Sequence, residues 1–245
     1  MSAPINSNLL TPHKKPWYRR AWFITLAVLA IIWFGLPQLA NLLAPVDQPL
    51  GFTAAPGAGS VETGEQSDLA TADAASLGSP VAPIVIVEFG DFECPFCREA
   101  APIVKELSQR YPEAVRLVYR HFPVVDIHQN ALAAAEAAAC AEVQGKFWAY
   151  HDGLFQAQDQ LGEELYQALA RSLALNLEDF NRCREQHLTL TAIRADFEAG
   201  AKAGVRGTPT WFVNGHRLEG ALSLELWEQV VVGVLRSLFP AQPTP

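Results

Sequence analysis

Residues 84–97 read IVIVEFGDFECPFC. The first four residues of this stretch are β-branched, which is typical of a strand buried on both faces, and the strand should break at Gly90 and Asp91. Apolar residues at helical spacing follow the second cysteine. Pro95 suits the first turn of a helix, because its missing N–H removes no hydrogen bond there. The stretch therefore predicts a strand, a short loop and a Cys-x-x-Cys motif at the start of a helix.

The two cysteines of this motif fit the chemistry of disulfide exchange, which needs a thiolate, an exposed attacking sulfur and a second sulfur nearby. The helix dipole and free N–H groups favour a thiolate on Cys94, which we expect at the solvent end of the helix, with Cys97 one turn further in. A zinc site and a purely structural bridge are the alternatives. Zinc usually takes four ligands, and no second Cys-x-x-Cys or histidine pair occurs at a suitable spacing, so no metal is predicted.

The rest of the folded part mixes strands and helices. The sequence predicts a second strand at 115–120, and Asn214-Gly215 is a strong hairpin signal between strands at 210–213 and 216–218. Amphipathic patterns predict helices between and after these strands, at 129–143, 146–156, 163–173, 177–184, 189–203 and 224–238.

Composition excludes several classes of protein. The chain has 245 residues, half of them hydrophobic, so it can bury a sizeable core. Its 18 lysines and arginines against 26 acids give a net charge of −8, which argues against a nucleic-acid partner. No glycine-rich phosphate loop, HExxH or GxSxG motif occurs. We therefore expect no cofactor, and the six histidines receive no catalytic role.

The N-terminal third predicts a membrane tether. Residues 1–20 form a short basic tail, and the uncharged, apolar residues 21–43 are long enough for a transmembrane helix. The positive-inside rule places the tail in the cytoplasm and the rest of the chain outside. A cleaved signal peptide is the alternative, but its apolar region is usually shorter, with small residues before the cut. Residues 44–80, poor in large apolar side chains, are predicted to be a flexible linker.

Residues 83–239 resemble a DsbA-like member of the thioredoxin superfamily. The resemblance rests on residues 87–97, on Pro102 five residues beyond the second cysteine, and on Gly-Thr-Pro-Thr at 207–210. It implies an α/β thioredoxin fold over residues 81–241. The helical stretch at about 125–203 resembles the helical insertion that separates this branch from plain thioredoxin.

The resemblance also implies roles for individual residues. Cys94 resembles the nucleophile, and Cys97 resembles its buried resolving partner. Thr208 and Pro209 resemble the family's cis-proline loop, which packs against the Cys-x-x-Cys motif and offers backbone to an extended substrate. Glu88 lies where the superfamily commonly keeps a buried acid linked to proton transfer at the second cysteine. Without the resemblance, Glu88 would be interpreted as a strand-end acid that faces solvent.

Phe96, Cys140 and Cys183 are three further positions at which the resemblance can be examined. The best-known oxidases of the family carry histidine where this chain has Phe96, and phenylalanine cannot stabilise the thiolate as an imidazole does, which puts strong oxidising behaviour in doubt. Cys140 and Cys183 lie in predicted helices of the insertion. Some DsbA-like proteins have an extra non-catalytic disulfide there, so we expect a structural bridge, against the alternative of two separately buried thiols.

The sequence thus predicts a thiol–disulfide oxidoreductase that oxidises or shuffles disulfides of exported client proteins. A single-pass anchor in the inner membrane would hold the catalytic domain in the periplasm or an equivalent extracytoplasmic space, where a membrane redox partner is expected. A disulfide reductase or isomerase is the alternative within this class. A redox-inactive, chaperone-like binding module is the alternative from another class.

Overall fold

A computed structural model of the protein describes residues 69–71 and 73–240. Its strands are β1 (Ser76–Leu77), β2 (Ile84–Gly90), β3 (Val115–His121), β4 (Thr210–Val213) and β5 (His216–Glu219). Its α-helices are α1 (Pro95–Arg110), α2 (Ala131–Glu142), α3 (Phe147–Gln156), α4 (Glu163–Ser172), α5 (Leu177–Glu185), α6 (Leu190–Lys202) and α7 (Leu224–Leu238). A 3-10 helix, Gln158–Gln160, lies between α3 and α4.

The strands form one sheet in the order β1-β3-β2-β4-β5. The central strands β2 and β3 run parallel, and Glu88 pairs with Tyr119 in their register. Strand β4 is antiparallel to β2, and β5 returns antiparallel to β4 as the hairpin signal predicts. At this turn Asn214 and Gly215 have φ values of 46° and 85°, which a two-residue type I′ hairpin requires at both positions.

Helices cover both faces of the sheet. On one face, α1 and α7 pack through Val104, Leu107 and Trp227 against alternate residues of the strands, such as Ile84 and Ile86. On the other face, α6 packs beside an apolar cluster built mainly from β2, β3 and β4, whose buried members are Leu69, Val87, Phe89, Val118, Phe122, Val205 and Phe212. The central strand is buried on both faces, as its β-branched sequence predicts.

Helices α2 to α6 all lie between β3 and β4, where the helical insertion was predicted. Helix α2 is largely alanine, and its small side chains let the neighbouring helices approach closely. Tyr150 of α3, Tyr166 of α4 and Phe180 of α5 complete a buried core that continues to Cys94 and Cys97. The insertion is therefore packed directly against the Cys-x-x-Cys motif.

The folded part begins earlier than the boundary predicted at residue 81. Leu69 is buried in the second apolar cluster, and β1 pairs antiparallel with the outer side of β3. Both features lie in the stretch predicted as linker, 44–80. That prediction rested on the lack of large apolar side chains, but a two-residue edge strand is held mainly by backbone hydrogen bonds and needs few of them.

Within the described residues, no helix is both long enough and apolar enough to cross a bilayer. The predicted basic tail at 1–20 and the predicted membrane helix at 21–43 lie outside the described residues, as does most of the predicted linker.

Candidate active site

The end of β2 and the start of α1 place the two cysteines. Strand β2 stops at Gly90, and the N–H of Cys94 donates to the carbonyl oxygen of Asp91 (3.1 Å), which turns the chain into the helix. Cys94 is the N-cap of α1, in an extended conformation, and Pro95 occupies the first helical position. Cys97 follows one turn later, so both thiols lie at the positive end of the helix dipole.

A second loop covers this end of the helix. The peptide bond between Thr208 and Pro209 is cis, and Cys94, when its thiol is protonated, donates to the carbonyl oxygen of Thr208 (3.2 Å). Strand β4 begins at Thr210, directly after this loop, and is paired with β2. The sheet thus brings together the Cys-x-x-Cys motif and the Thr-Pro pair, which are more than 100 residues apart in sequence.

Both thiols are less accessible than the sequence suggested. Cys97 is fully buried, but Cys94, expected to be exposed, retains 4% of its accessible surface. The prediction of an exposed attacking sulfur is therefore wrong in this conformation. The Thr208-Pro209 loop accounts for the difference, because it lies over the sulfur that a bare helix end would present to solvent.

The pKa values of the two thiols are shifted in opposite directions. A hydrogen bond with the Cys97 thiol, aided by the Thr208 side chain and the N–H groups of Cys97 and Phe96, lowers the pKa of Cys94 to about 5 against the effect of burial. Burial raises the pKa of Cys97 well above its usual value, and the hydrogen bond to Cys94 and the charge of Glu88 act in the same direction. Near neutral pH, Cys94 is a thiolate and Cys97 is a protonated thiol.

Glu88 is fully buried in β2, so the interpretation of a solvent-facing acid is wrong. Burial raises the pKa of Glu88 to about 8, and the Cys94 thiolate contributes further. Neither carboxylate oxygen has a hydrogen-bond partner among the described residues. A carboxyl group in this setting holds a proton near neutral pH and can exchange it.

Aromatic and histidine side chains surround Glu88 and the dithiol. Tyr119, the strand partner of Glu88, lies 5.4 Å from the ring of His121 and 5.3 Å from that of His151, measured between centroids. Burial lowers the pKa of His121 to about 4 and lowers the pKa of His151. Both histidines are therefore uncharged near neutral pH and add no positive charge beside Tyr119.

Asp91 fixes the loop between β2 and α1. Its buried carboxylate accepts hydrogen bonds from the backbone N–H of Glu93 (2.8 Å), from the N–H of Val124 (2.8 Å) and from Nδ1 of His128 (2.8 Å). Its own N–H donates to Sγ of Cys97 (3.5 Å). Neither Asp91 nor His128 was predicted as a site residue, and the only local signal was the position of Asp91 beside the motif.

Gln158 holds the same loop from the side of the insertion. Its buried amide Nε2 donates to the carbonyl oxygens of Phe92 (2.8 Å) and Cys94 (2.9 Å). No sequence signal pointed to Gln158, because it lies more than 60 residues from the motif in a segment without a recognisable pattern.

Cys140 and Cys183 lie apart from these contacts, in α2 and α5, and are joined by a disulfide with a Cα–Cα distance of 5.9 Å. Cys94 and Cys97 are free thiols in the same structure. Among residues 69–71 and 73–240, no group of three or more histidine, cysteine, aspartate and glutamate side chains is placed to hold a metal ion.

The sequence model of the thioredoxin family matches residues 70–232 of this chain, which is well over half of the 245 residues. The chain belongs to the thioredoxin family. The match covers the dithiol and the Thr208-Pro209 loop, and its start at residue 70 agrees with the early beginning of the folded part.

Two solved structures are similar to this thioredoxin-family protein. A thioredoxin-like oxidoreductase from Silicibacter pomeroyi is 30% identical, with a TM-score of 0.63, and the match covers 72% of this chain and 99% of that one. The α-DsbA1 of Wolbachia pipientis is 22% identical, with a TM-score of 0.63, over 71% of this chain and 96% of that one. The latter likeness shows the fold alone, which is DsbA-like. The Silicibacter pomeroyi likeness supports an oxidoreductase role in general.

Curated relatives of this thioredoxin-family protein are named as Na(+)/H(+) antiporters. The Na(+)/H(+) antiporter NhaA 3 of Salinispora tropica is 40% identical over 160 residues, which is 65% of this chain but 24% of that protein. The chain thus spans about a quarter of the length of the curated relatives that it matches. The name antiporter describes those whole proteins, of which this chain matches only the smaller part.

Proposed function

We propose that this protein is a membrane-tethered thiol–disulfide oxidoreductase that acts on exported client proteins through Cys94 and Cys97. The opposite acidities of the two thiols carry the proposal. A pKa of about 5 at Cys94 and a raised pKa at Cys97 give one sulfur that is ionised near neutral pH and one that gains or loses a proton when it reacts. Disulfide exchange needs this division of roles.

The oxidising direction begins with the Cys94–Cys97 disulfide. A client thiolate attacks Sγ of Cys94, the bond between Cys94 and Cys97 breaks, and Cys97 leaves with the electron pair and takes up a proton. A second client thiolate then attacks the client sulfur of the mixed disulfide and releases Cys94 as a thiolate. Because the leaving group of lower pKa leaves faster, the acidity of Cys94 favours this last step and hence the formation or shuffling of client disulfides.

Phe96 does not weaken this proposal as the sequence suggested. A histidine at that position would add a charge beside the sulfur, and Phe96 instead is 58% exposed to solvent. The low pKa of Cys94 rests first on the Cys97 thiol and further on the Thr208 side chain and two backbone N–H groups. Those interactions do not need an imidazole.

The neighbouring residues have roles that follow from their positions. Glu88, buried and protonated near neutral pH, would give a proton to Cys97 when it leaves and take one when it attacks. The Thr208-Pro209 loop would move aside to admit the client and then present backbone to an extended client segment. No cofactor is required, because the electrons pass between sulfur atoms.

Trapping of clients tests the proposal. In the full-length protein, Cys97→Ala removes the resolving sulfur, so mixed disulfides between Cys94 and client proteins should accumulate as reducible high-mass bands. Cys94→Ser, which lacks a thiolate, should give none and should abolish exchange. If Cys97→Ala traps nothing while Cys94→Ser does, the roles of the two cysteines are reversed. If neither the wild type nor any variant reacts with thiols, the protein is a redox-inactive binding module.

The direction of electron flow separates the proposal from its alternative, a reductase or isomerase. An oxidase needs a membrane redox partner that takes electrons from the reduced dithiol, so Cys94 and Cys97 should be disulfide-bonded in living cells. A reductase or isomerase should be found mainly as the dithiol. Alkylation of cells quenched in acid, followed by separation of the two forms by mass, measures this ratio.

The proposed location rests on the sequence of the N-terminal region. We propose a basic cytoplasmic tail at 1–20, a signal anchor at 21–43 and a linker that ends before Leu69, with the catalytic domain in the periplasm or an equivalent space. The full chain should stay in the membrane fraction after alkaline washing, and protease added from outside should remove the domain. A soluble exported form that begins after residue 44 would instead indicate a cleaved signal peptide.

A further inference from the structure

The amide of Gln158 joins the helical insertion to the active-site loop. Gln158 opens the 3-10 helix that follows α3, and both of its hydrogen bonds go to backbone carbonyl oxygens, those of Phe92 and Cys94. The side chain is buried, so water does not replace these bonds easily. Among the described residues, no other buried side chain of the insertion donates a hydrogen bond to residues 92–97.

The Cys94 carbonyl decides how α1 begins relative to the reactive sulfur. Cys94 has a ψ of 122°, and its carbonyl also accepts the hydrogen bond from the N–H of Arg98 (3.2 Å) that opens the helix. With this orientation, the N–H groups of Phe96 and Cys97 interact with Sγ of Cys94. A rotation of the Cys94 carbonyl would turn the first helical turn, and these two N–H groups with it, away from the sulfur.

The carbonyl oxygens of Phe92 and Cys94 also repel negative charge on the Cys94 sulfur. A carbonyl oxygen carries partial negative charge, and two of them lie within a few bonds of a sulfur that must become an anion. An amide that donates to both withdraws part of that charge and fixes the direction in which the oxygens point. The effect is large in this site because the site is buried, where electrostatic interactions are screened less than in water.

We propose that Gln158 is a positioning residue that holds the Phe92 and Cys94 carbonyls, and with them the first turn of α1, in a fixed orientation toward Sγ of Cys94. This proposal depends on the proposed function in one respect only, namely that disulfide exchange is the reaction for which the low pKa of Cys94 is needed. Through Gln158, the insertion tunes the reactivity of a dithiol that the thioredoxin sheet and α1 present.

The test is a titration of Cys94 in full-length, detergent-solubilised, reduced protein. Gln158→Met keeps the length and neutrality of the side chain but removes both donors. We expect its midpoint, measured from the thiolate absorbance near 240 nm, to rise by about one pH unit, which is roughly a tenfold change in the thiol–thiolate equilibrium. Gln160→Met is the matched control, because Gln160 is exposed in the same 3-10 helix, and its midpoint should equal that of the wild type.

Equal midpoints in the Gln158→Met and Gln160→Met variants would overturn the proposal. A loss of stability in Gln158→Met with an unchanged midpoint would do the same, because it would assign Gln158 a structural role alone. Since the titration is measured on Cys94 itself, this failure would leave the proposed function intact. A wild type that exchanges no disulfides would overturn the proposed function whatever Gln158 does.

A measurement on the wild type covers the case in which Gln158→Met does not fold. The side-chain amide protons of Gln158, observed by NMR in selectively labelled protein, should exchange slowly with solvent and should shift at the titration midpoint of Cys94. Those of Gln160 should do neither. Amide signals of Gln158 that behave like those of Gln160 would overturn the proposal without any variant.

Discussion

The interaction between the Cys97 and Cys94 thiols shifts the pKa values of its two members in opposite directions. It is the largest contribution that lowers the pKa of Cys94, and it adds to the burial that raises the pKa of Cys97. In the proposed mechanism, the resolving cysteine therefore activates the attacking one before any client arrives. The acidity of Cys94 is a property of the pair rather than of the helix end alone.

The first prediction separates this pair effect from the effect of the helix. Cys97→Ala should raise the pKa of Cys94, because the thiol that donates to its sulfur is lost, whereas Cys97→Ser keeps a donor and should leave the pKa lower than in the alanine variant. The rate of alkylation by iodoacetamide, followed from pH 4 to pH 9, gives the pKa of each variant. Identical profiles for alanine and serine would show that the helix end acts without Cys97.

The second prediction concerns Glu88 and the stability of the oxidised protein, in which Cys94 and Cys97 do not titrate. In the folded, reduced protein the pKa of Glu88 is raised to about 8. Burial is the main cause, and it persists on oxidation. The folded state then holds a proton that the unfolded chain releases above about pH 4.5, so this contribution to stability is full below that pH and is lost as the pH rises toward 8.

Glu88→Gln should remove that loss. Its free energy of unfolding should fall less than that of the wild type between pH 5 and pH 8, by on the order of 2 kcal/mol, as measured by urea denaturation at each pH. Glu113→Gln, at an exposed position, is the control and should follow the wild type. Parallel curves for the wild type and Glu88→Gln would contradict a raised pKa at Glu88.

The third prediction concerns the disulfide between α2 and α5. Replacing Cys140 and Cys183 by alanine should lower the free energy of unfolding by about 2–4 kcal/mol, because the bond restricts the unfolded chain over a separation of 43 residues. The rate of disulfide exchange per folded molecule should hardly change. A large loss of turnover with stability intact would mean that this pair passes electrons to the dithiol.

The fourth prediction tests the close packing beside the dithiol. A Cβ added at Gly90 would lie 2.7 Å from the hydroxyl and ring of Tyr119, so Gly90→Ala should lower stability by about 1–3 kcal/mol in thermal unfolding. Gly207→Ala is the control, since a Cβ there would meet nothing within 4 Å. Equal stabilities would show that Tyr119 moves freely, against its fully buried position.

Much of the fold was predictable because it is written in local patterns. The β-branched run of β2, the Asn214-Gly215 turn and the apolar spacing of α7 each depend on neighbouring residues, and the structure confirms all three. Strand β1 was missed for the opposite reason. It is defined by pairing with β3, and its sequence, Ser76–Leu77, is too short to carry a pattern.

The candidate site divides in the same way. Cys94, Cys97 and Pro209 were identified because the motif and the family resemblance mark them in the sequence. The contacts of Asp91 with His128, and of Gln158 with the Phe92 and Cys94 carbonyls, depend on how distant segments meet. The burial of Cys94 was missed because it is caused by the Thr208 loop, which lies 114 residues further along the chain.

The disulfide between Cys140 and Cys183 also bears on how the chain acquires its own bonds. Four cysteines allow three pairings; the structure joins the third with the fourth, and the oxidised form proposed above would join the first with the second, which are free thiols here. A chain is synthesised from its N-terminus, so each cysteine meets this partner next in the order of appearance. The protein can reach this bonding pattern by oxidation in order of emergence, without any rearrangement of mispaired bonds.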